Sequence, residues 1–174
     1  MKLFLPWAIA ERLEKELRHG NWQEIGGVLV GQHVVDETFR IVDISVQHSG
    51  GSAAHFVRDP EKHRQFLADF FAGTGHDYQR FNYIGEWHSH PSFSPFPSGV
   101  DNATMHEILY SEEVAVNFLI LIIVRLRRSS NIQLSATLYR RGAQPCLAEV
   151  IIEGVPSAKT KVSLLQRALA FFRR

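Results

Sequence analysis

Two histidines and an aspartate stand at a spacing that suits a site for a single metal ion. His88 and His90 are separated by one residue. On an extended strand, residues i and i+2 point to the same face, so both imidazoles can approach one ion. Asp101 follows shortly downstream and can add a carboxylate oxygen. Three protein ligands leave a fourth position for water, as in catalytic zinc, so the spacing predicts an open site for one Zn²⁺.

The same segment also has the pattern of a helix start. Ser98 and Asp101 stand at the N-cap and in the first turn, and an apolar helical stripe continues through Met105, Ile108 and Leu109. A carboxylate in a first helical turn can cap the helix and face a metal at the same time. The two interpretations are therefore compatible.

Hydrolysis at such a site needs a carboxylate to move a proton, and two glutamates are candidates. Glu86 lies on the same strand face as His88 and His90 by parity. Glu24 is distant in sequence, so only the fold can bring it to the histidines. The residues alone leave both assignments open.

Three segments resemble the JAB/MPN metalloprotease family in its prokaryotic branch with the JAMM motif. They are EIGGVLVG at 24–31, GEWHSHP at 85–91 and PSGVD at 97–101, and the resemblance covers about residues 5–140. It implies a cytidine-deaminase-like fold, with a curved mixed sheet, and one zinc held by His88, His90 and Asp101. It also implies that Glu24 is the acid/base and that Ser98 hydrogen-bonds the tetrahedral oxyanion.

The family resemblance further implies a zinc-dependent peptidase or isopeptidase that cuts after the C-terminal tail of a ubiquitin-like protein. Processing of a precursor and removal of a conjugate both fit, in a bacterial conjugation or antiphage defence system with E1-like and E2-like enzymes of the same operon. The alternatives are a zinc hydrolase for a sulfur-carrier protein or small amide, and a non-catalytic interaction module. Phe93 and Phe96 are expected to line the substrate groove, and residues 49–56 and 92–97 to contact the partner.

Composition agrees with one compact domain. The chain has 174 residues, 45% of them hydrophobic, and a formal net charge of +1, which gives no general attraction for nucleic acid or membrane. The lone Cys146 cannot form an internal disulfide and fits a cytoplasmic protein. The apolar start resembles a short signal peptide, but Ile9, Leu13 and Leu17 continue a helical stripe beyond it. The apolar run at 114–124 is too short for a membrane helix and indicates a buried strand.

Hydrophobic periodicity predicts a single-domain α/β fold with a curved mixed sheet flanked by helices. The predicted helices cover about 6–19, 60–72 and 101–113, and the predicted strands cover 25–32, 39–47, 53–57, 81–88, 115–126, 131–140 and 146–152. The catalytic domain is assigned to 1–157. Residues 158–174 form a predicted C-terminal helix that packs on this domain or binds a partner.

The remaining tryptophan, histidine and arginine residues near these motifs are interpreted mainly as structural. Trp87 is expected in the core, and the remaining seven histidines are expected to be exposed or partly buried. Five arginines at 125, 127, 128, 140 and 141 are predicted to gather at paired strand ends, as a solvated edge or as a surface that steers an acidic partner.

Overall fold

Eight strands and three helices are present in the part of the chain that the computed structural model describes, residues 1–20, 22–51, 56–112, 116–127 and 132–156. In chain order they are β1 (Lys2–Pro6), α1 (Trp7–His19), β2 (Gly26–Val35), β3 (Thr38–Ile44), α2 (Pro60–Gly73), β4 (Phe81–Ser89), α3 (Gly99–Tyr110), β5 (Phe118–Leu126), β6 (Ile132–Arg140), β7 (Cys146–Leu147) and β8 (Glu149–Glu153).

The strands form one mixed sheet in the order β7-β6-β5-β4-β2-β3-β1-β8. β1 pairs in parallel with β3 and β8, and β4 pairs in parallel with β5, while the other neighbours are antiparallel. β6 also contacts β8, so the sheet curves until it is nearly closed. The predicted α/β class with a curved mixed sheet flanked by helices is confirmed.

Both faces of the central strands are covered. Alternate residues of β5, Ile120, Ile122 and Val124, join the core cluster beneath α1, to which Leu13 and Leu17 contribute. The intervening Leu119, Leu121 and Ile123 pack with Met105 and Leu109 of α3 in a second cluster. Burial on two sides explains the continuous apolar sequence of β5. Within the described residues, no helix is both long and apolar enough to cross a bilayer.

Several predicted boundaries differ from the structure. β1 was not expected; Leu3 and Leu5 alternate into the core, and the strand lies between β3 and β8. α3 begins at Gly99 and ends at Tyr110, earlier at both ends than predicted. The strand predicted at 146–152 is two strands, because β7 pairs with β6 whereas β8 pairs with β1. Most of the strand predicted at 53–57 and the C-terminal helix at 158–174 fall outside the described residues.

The predicted arginine cluster is wrong. Arg125 lies opposite Gln133 near the hairpin loop, whereas Arg140 lies opposite Phe118 at the other end of the same strand pair. These two groups therefore lie at opposite ends of a hairpin made of two nine-residue strands. Arg140 instead forms an ion pair with Glu37, and Arg128 falls outside the described residues.

Candidate active site

The end of β4 and the start of α3 bring the predicted ligands together. β4 ends at Ser89, between the two histidines, and α3 begins after the N-cap Ser98. The backbone N–H of Ser98 donates to Asp101 Oδ2 at 2.6 Å, and the N–H of Asp101 donates to Ser98 Oγ at 3.2 Å. This capping box is the predicted helix start, and it fixes the direction of the Asp101 carboxylate.

The imidazoles and the carboxylate converge on one point. His88 Nε2 lies 3.2 Å from His90 Nε2 and 3.2 Å from Asp101 Oδ1, and His90 Nε2 lies 3.6 Å from Asp101 Oδ2. Tetrahedral zinc with bonds of about 2.0–2.1 Å places neighbouring ligand atoms roughly 3.3 Å apart. The spacing of these three side chains therefore fits a zinc ion.

The orientation of His90 is fixed by a second contact. His90 Nδ1 donates to the Ser94 carbonyl at 2.8 Å, which turns Nε2 toward the convergence point, where the neutral imidazole would offer its lone pair to a metal ion. Burial alone would lower the pKa of His90, but Asp101, the Ser94 carbonyl and Glu24 raise it above its ordinary value. Burial also opposes ionisation of Asp101, yet hydrogen bonds from His88 and His90 hold the pKa of Asp101 well below its usual range. The ionised carboxylate makes the site attractive to a cation.

Glu24 reaches the site through the pairing of β2 with β4. The Ile25 N–H donates to Ser89 Oγ at 2.9 Å, and the Ser89 N–H donates to the Ile25 carbonyl at 2.8 Å. These bonds hold the residue after Glu24 against the residue between the histidines. Glu24 Oε1 lies 4.0 Å from His90 Nε2, and burial raises the pKa of Glu24 to about 7, with His90 lowering it and Asp101 raising it further.

A glycine permits this close strand pairing. A Cβ atom at Gly26 would lie 2.4 Å from the Trp87 carbonyl oxygen, so a side chain there would push β2 away from β4. The ligand atoms of Glu24, His88 and His90 consequently all lie within 4.8 Å of one another. Two carboxylates, from Glu24 and Asp101, thus face the same pair of imidazoles.

Glu86 lies on the same face of β4, as strand parity predicts, but its carboxylate has other partners. It forms an ion pair with Arg58 and accepts a hydrogen bond from the Tyr83 hydroxyl at 3.4 Å. Burial raises the pKa of Glu86, and Arg58 opposes this rise. Sequence reasoning did not identify Arg58, because nothing local connects it to a residue on β4.

A cavity of about 230 Å³ adjoins His88 and Asp101. Its apolar walls come from α3, β5 and the segment before α2, and consist of Phe56, Val57, Val100, Met105, Ile108 and Leu121. Phe93 and Phe96 lie on the loop after β4 and are 52% and 38% exposed, with the Phe93 ring 6.5 Å from that of His90. They do not line this cavity.

The other aromatic and histidine predictions have mixed outcomes. Trp87 is fully buried, as predicted, and its Nε1–H donates to the Ser45 carbonyl at 2.8 Å. His106 is partly buried, as predicted, and packs edge-on against Tyr139. The prediction for His63 is wrong, since it is 1% exposed and lies in a hydrogen-bond network with Ser45 and Gln47.

The fold and the buried cluster of histidines and carboxylates define a JAB-type hydrolase. Residues 8–136 match the family described as prokaryotic homologs of the JAB domain, and the chain belongs to this family. It is 31% identical over 146 residues to a CD-NTase/cGAS isopeptidase from Enterobacter hormaechei, covering 82% of this chain and 78% of that relative.

Two further comparisons reach more distant proteins. The chain is 31% identical over 109 residues to the ubiquitin carboxyl-terminal hydrolase RPN11 of Saccharomyces cerevisiae, covering 60% of this chain but 35% of that protein. The solution structure of protein DSY2949 from Desulfitobacterium hafniense has a TM-score of 0.66 at 19% identity, and the match covers 95% of this chain and 97% of the other. That likeness shows the shared fold.

Proposed function

We propose that the chain is a zinc-dependent peptidase or isopeptidase that cleaves after the C-terminal tail of a ubiquitin-like protein. The observation that carries the proposal is the convergence of His88, His90 and Asp101 on one point, with Glu24 beside it. The names of the relatives, an isopeptidase and a ubiquitin carboxyl-terminal hydrolase, support the bond type and the substrate class.

One zinc ion per chain would be held by His88 Nε2, His90 Nε2 and a carboxylate oxygen of Asp101. Asp101 is assigned as the third ligand in preference to Glu24, because its oxygens lie 3.2 and 3.6 Å from the imidazole nitrogens whereas Glu24 lies 4.0 Å from the nearer one. Bound zinc supplies Lewis acidity, which polarises a carbonyl and lowers the pKa of a water molecule toward about 7.

Glu24 is the proposed general base and acid. It takes a proton from the attacking water and hands it to the departing amine. A group transfers protons in both directions best when its pKa is near the working pH, and burial places the pKa of Glu24 at about 7. Glu86 is the weaker candidate, because Arg58 and Tyr83 already engage its carboxylate.

Ser98 is the proposed donor to the oxyanion that develops on the substrate carbonyl. Its Oγ accepts the hydrogen bond from the Asp101 N–H, which leaves the hydroxyl hydrogen available to donate. Removal of one such donor in other enzymes costs about 3–4 kcal/mol of transition-state stabilisation. The capping role and the catalytic role therefore use different parts of the same hydroxyl group.

The proposed substrate enters as an extended tail. The cavity beside His88 and Asp101 provides an apolar surface along which a tail can lie, and Phe93 and Phe96 expose aromatic rings on the loop after β4. Glycine next to the cut bond suits a narrow approach to buried ligands, since it has no side chain. The proposed setting is cytoplasmic, in a bacterial conjugation or antiphage defence system with E1-like and E2-like partners, and the bacterial source of the isopeptidase relative supports it.

The test measures metal and cleavage on the same purified protein. We expect about one zinc per chain, retained after gel filtration, and loss of this zinc in a His88→Ala/His90→Ala double variant. The substrates are a panel of ubiquitin-like proteins, ubiquitin included, each joined through its terminal glycine to the lysine side chain of a fluorescent peptide. An acetyl-Gly-Gly version of the peptide is the dipeptide reporter.

Cleavage of at least one panel member after its terminal glycine, stopped by a chelator and restored by zinc, is the expected result. Absence of zinc after refolding with excess metal would contradict the metal site. Turnover of the dipeptide reporter or of a sulfur-carrier conjugate without cleavage of any panel member would instead assign the chain to small-substrate or sulfur-carrier hydrolysis.

A further inference from the structure

One wall of the cavity beside His88 is a segment that lies outside the strands and helices. The cleft-wall segment, residues 49–51 and 56–59, follows β3 and leads into α2. Phe56 stacks over His88 with ring centroids 6.1 Å apart and an interplanar angle of 25°. Arg58 forms the ion pair with Glu86, and a Cβ atom at Gly51 would lie 2.0 Å from the Glu24 carbonyl oxygen. The segment therefore touches both sides of the proposed catalytic centre.

A single buried side chain holds both ends of this segment. Gln47 Nε2 donates to the Ser49 carbonyl at 2.5 Å and to the Val57 carbonyl at 2.9 Å. Gln47 Oε1 accepts from the Asp59 N–H at 2.9 Å. Gln47 is 3% exposed, so the amide makes these bonds from a buried position. One amide thus connects the two parts of the cleft-wall segment, residues 49–51 and residues 56–59.

The fourth hydrogen bond of the Gln47 amide comes from α2. His63 Nε2 donates to Gln47 Oε1 at 3.1 Å, and His63 Nδ1 accepts from the Ser45 hydroxyl at 2.7 Å. Ser45 Oγ in turn accepts from the Val28 N–H of β2 at 2.9 Å. All four hydrogen-bonding positions of the amide are occupied, so its rotamer is determined by the sheet and α2.

The backbone of Gln47 is also fixed near Glu24. Its N–H donates to the Gly26 carbonyl at 2.6 Å, and its carbonyl accepts from the Gly26 N–H at 3.2 Å. Gln47 therefore connects the cleft-wall segment, through its side chain, to the start of β2, through its backbone. Glu24, the proposed base, lies two residues before β2. We propose that Gln47 is a positioning residue, which holds the cleft-wall segment in the conformation that binds the substrate tail. This inference rests on the proposed function and assigns it a residue that contacts neither zinc ligand nor substrate.

The test replaces the amide by a group of the same size that cannot make both donations. Gln47→Glu keeps the acceptor oxygen but removes at least one of the donations to the Ser49 and Val57 carbonyls, because a carboxylate donates no hydrogen bond and a protonated carboxyl group donates only one. The readout is the ratio of kcat/KM for the panel member cleaved fastest to kcat/KM for the dipeptide reporter, which presents two glycines to the wall in place of a whole tail. We expect this ratio to fall about 10- to 100-fold, mainly through a higher KM for the long substrate, with unchanged zinc content.

Gln144→Glu is the matched control, because Gln144 is exposed in the turn after β6 and should leave the ratio unchanged. An equal loss on both substrates would show that Gln47 supports the fold only, and an unchanged ratio would show that the segment does not bind the tail.

A second variant tests the same wall if Gln47→Glu does not unfold cooperatively. Phe56→Ala changes the wall at a partly exposed position and should lower the same ratio. A wild-type enzyme that cleaves no panel member contradicts the proposed function and this inference together, whereas active wild type with an unaffected ratio contradicts the inference alone.

Discussion

Glu24 and Glu86 are both buried carboxylates on the histidine side of the sheet, and their neighbours give them different chemistry. Glu86 has a guanidinium partner in Arg58, and removal of one partner from a buried ion pair is strongly destabilising. Glu24 faces His90 at 4.0 Å and has a pKa raised to about 7 by burial. At the scale of residues, the surroundings favour Glu24 as a proton carrier and Glu86 as a structural group.

Glu24→Gln should therefore abolish most hydrolysis without loss of metal. The amide keeps the size of the side chain but cannot accept the proton, and general acid/base catalysis contributes roughly 10²–10⁴-fold. The measurement is kcat for the panel substrate, with zinc content and thermal unfolding recorded on the same sample. Zinc loss in this variant would indicate that Glu24 is a ligand.

Glu86→Gln is the matched control for that substitution. It should lower thermal stability, because the Arg58 guanidinium loses its buried counter-charge, while kcat at a temperature where the protein is folded stays within about tenfold of wild type. If Glu86→Gln loses activity and Glu24→Gln does not, the proton carrier is Glu86.

The sequence predicts the site residues that lie close together in the chain, but not those that only the fold brings together. His88, His90 and Asp101 could be found because strand parity and a helix-start pattern act over a few residues. Glu24 was favoured over Glu86 only by family resemblance, since its proximity depends on the pairing of β2 with β4. Arg58 and Gln47 carry no sequence signal for their partners, because the fold alone creates those contacts.

At the scale of elements, the site depends on β4 lying between β2 and β5 without a gap. Gly85 begins the paired part of β4 and β5, opposite Ile120, and has a φ of +147°. A Cβ atom there would lie 1.9 Å from the Ile120 carbonyl oxygen. Both the backbone conformation and the available space therefore require glycine.

Gly85→Ala should destabilise the protein by about 2–4 kcal/mol, because the methyl group forces either a strained φ or a separation of β4 from β5. Denaturant unfolding measures this change. Gly73→Ala at the end of α2 is the control, since nothing lies within 4 Å of the added carbon, and the better helix propensity of alanine should leave stability equal or slightly higher. Similar stability of the two variants would contradict the close approach of β5.

The strands near the two ends of the sheet, β1, β7 and β8, were the elements least accessible from sequence. The apolar residues of β1 merge with those of α1 into one run, so the helical stripe hid the alternation of Leu3 and Leu5. β7 and β8 follow one another in the chain but pair with β6 and β1, respectively, and that division comes from the curvature of the sheet. The central strand β5 was easier, because burial on both faces gives it a long apolar run.

At the scale of the whole molecule, a buried polar network joins α2 to β2, to β4 and to the residue after β3. His63 of α2 bonds to Ser45, which follows β3, and Ser45 contacts Val28 of β2 and Trp87 of β4 through its side chain and carbonyl. Nε2 of His63 donates to Gln47, so the neutral ring satisfies the network with one hydrogen. Burial, followed by the nearby Arg58 charge, lowers the pKa of His63 from 6.5 to about 4.

This shift makes global stability depend on pH. The folded pKa of His63 lies below the unfolded value, so between pH 6.5 and 4 the unfolded chain binds a proton that the folded chain does not. The contribution of His63 to the free energy of unfolding is therefore complete above pH 6.5. It falls by about 3 kcal/mol as the pH drops to 4, since each pKa unit corresponds to about 1.4 kcal/mol.

The comparison of wild type with His63→Gln isolates this contribution, because titration of the remaining groups is common to both proteins. Denaturant unfolding from pH 7.5 to 4 should show a stability difference that is constant above pH 6.5 and shrinks steadily below it, as wild type pays the protonation cost and the variant does not. His33→Gln, at an exposed histidine on β2, is the matched control for loss of an imidazole. A stability difference between wild type and His63→Gln that stays constant down to pH 4 would contradict this prediction. It would mean that His63 becomes protonated in the folded protein as readily as in the unfolded chain, so that Nδ1 does not act only as an acceptor from Ser45.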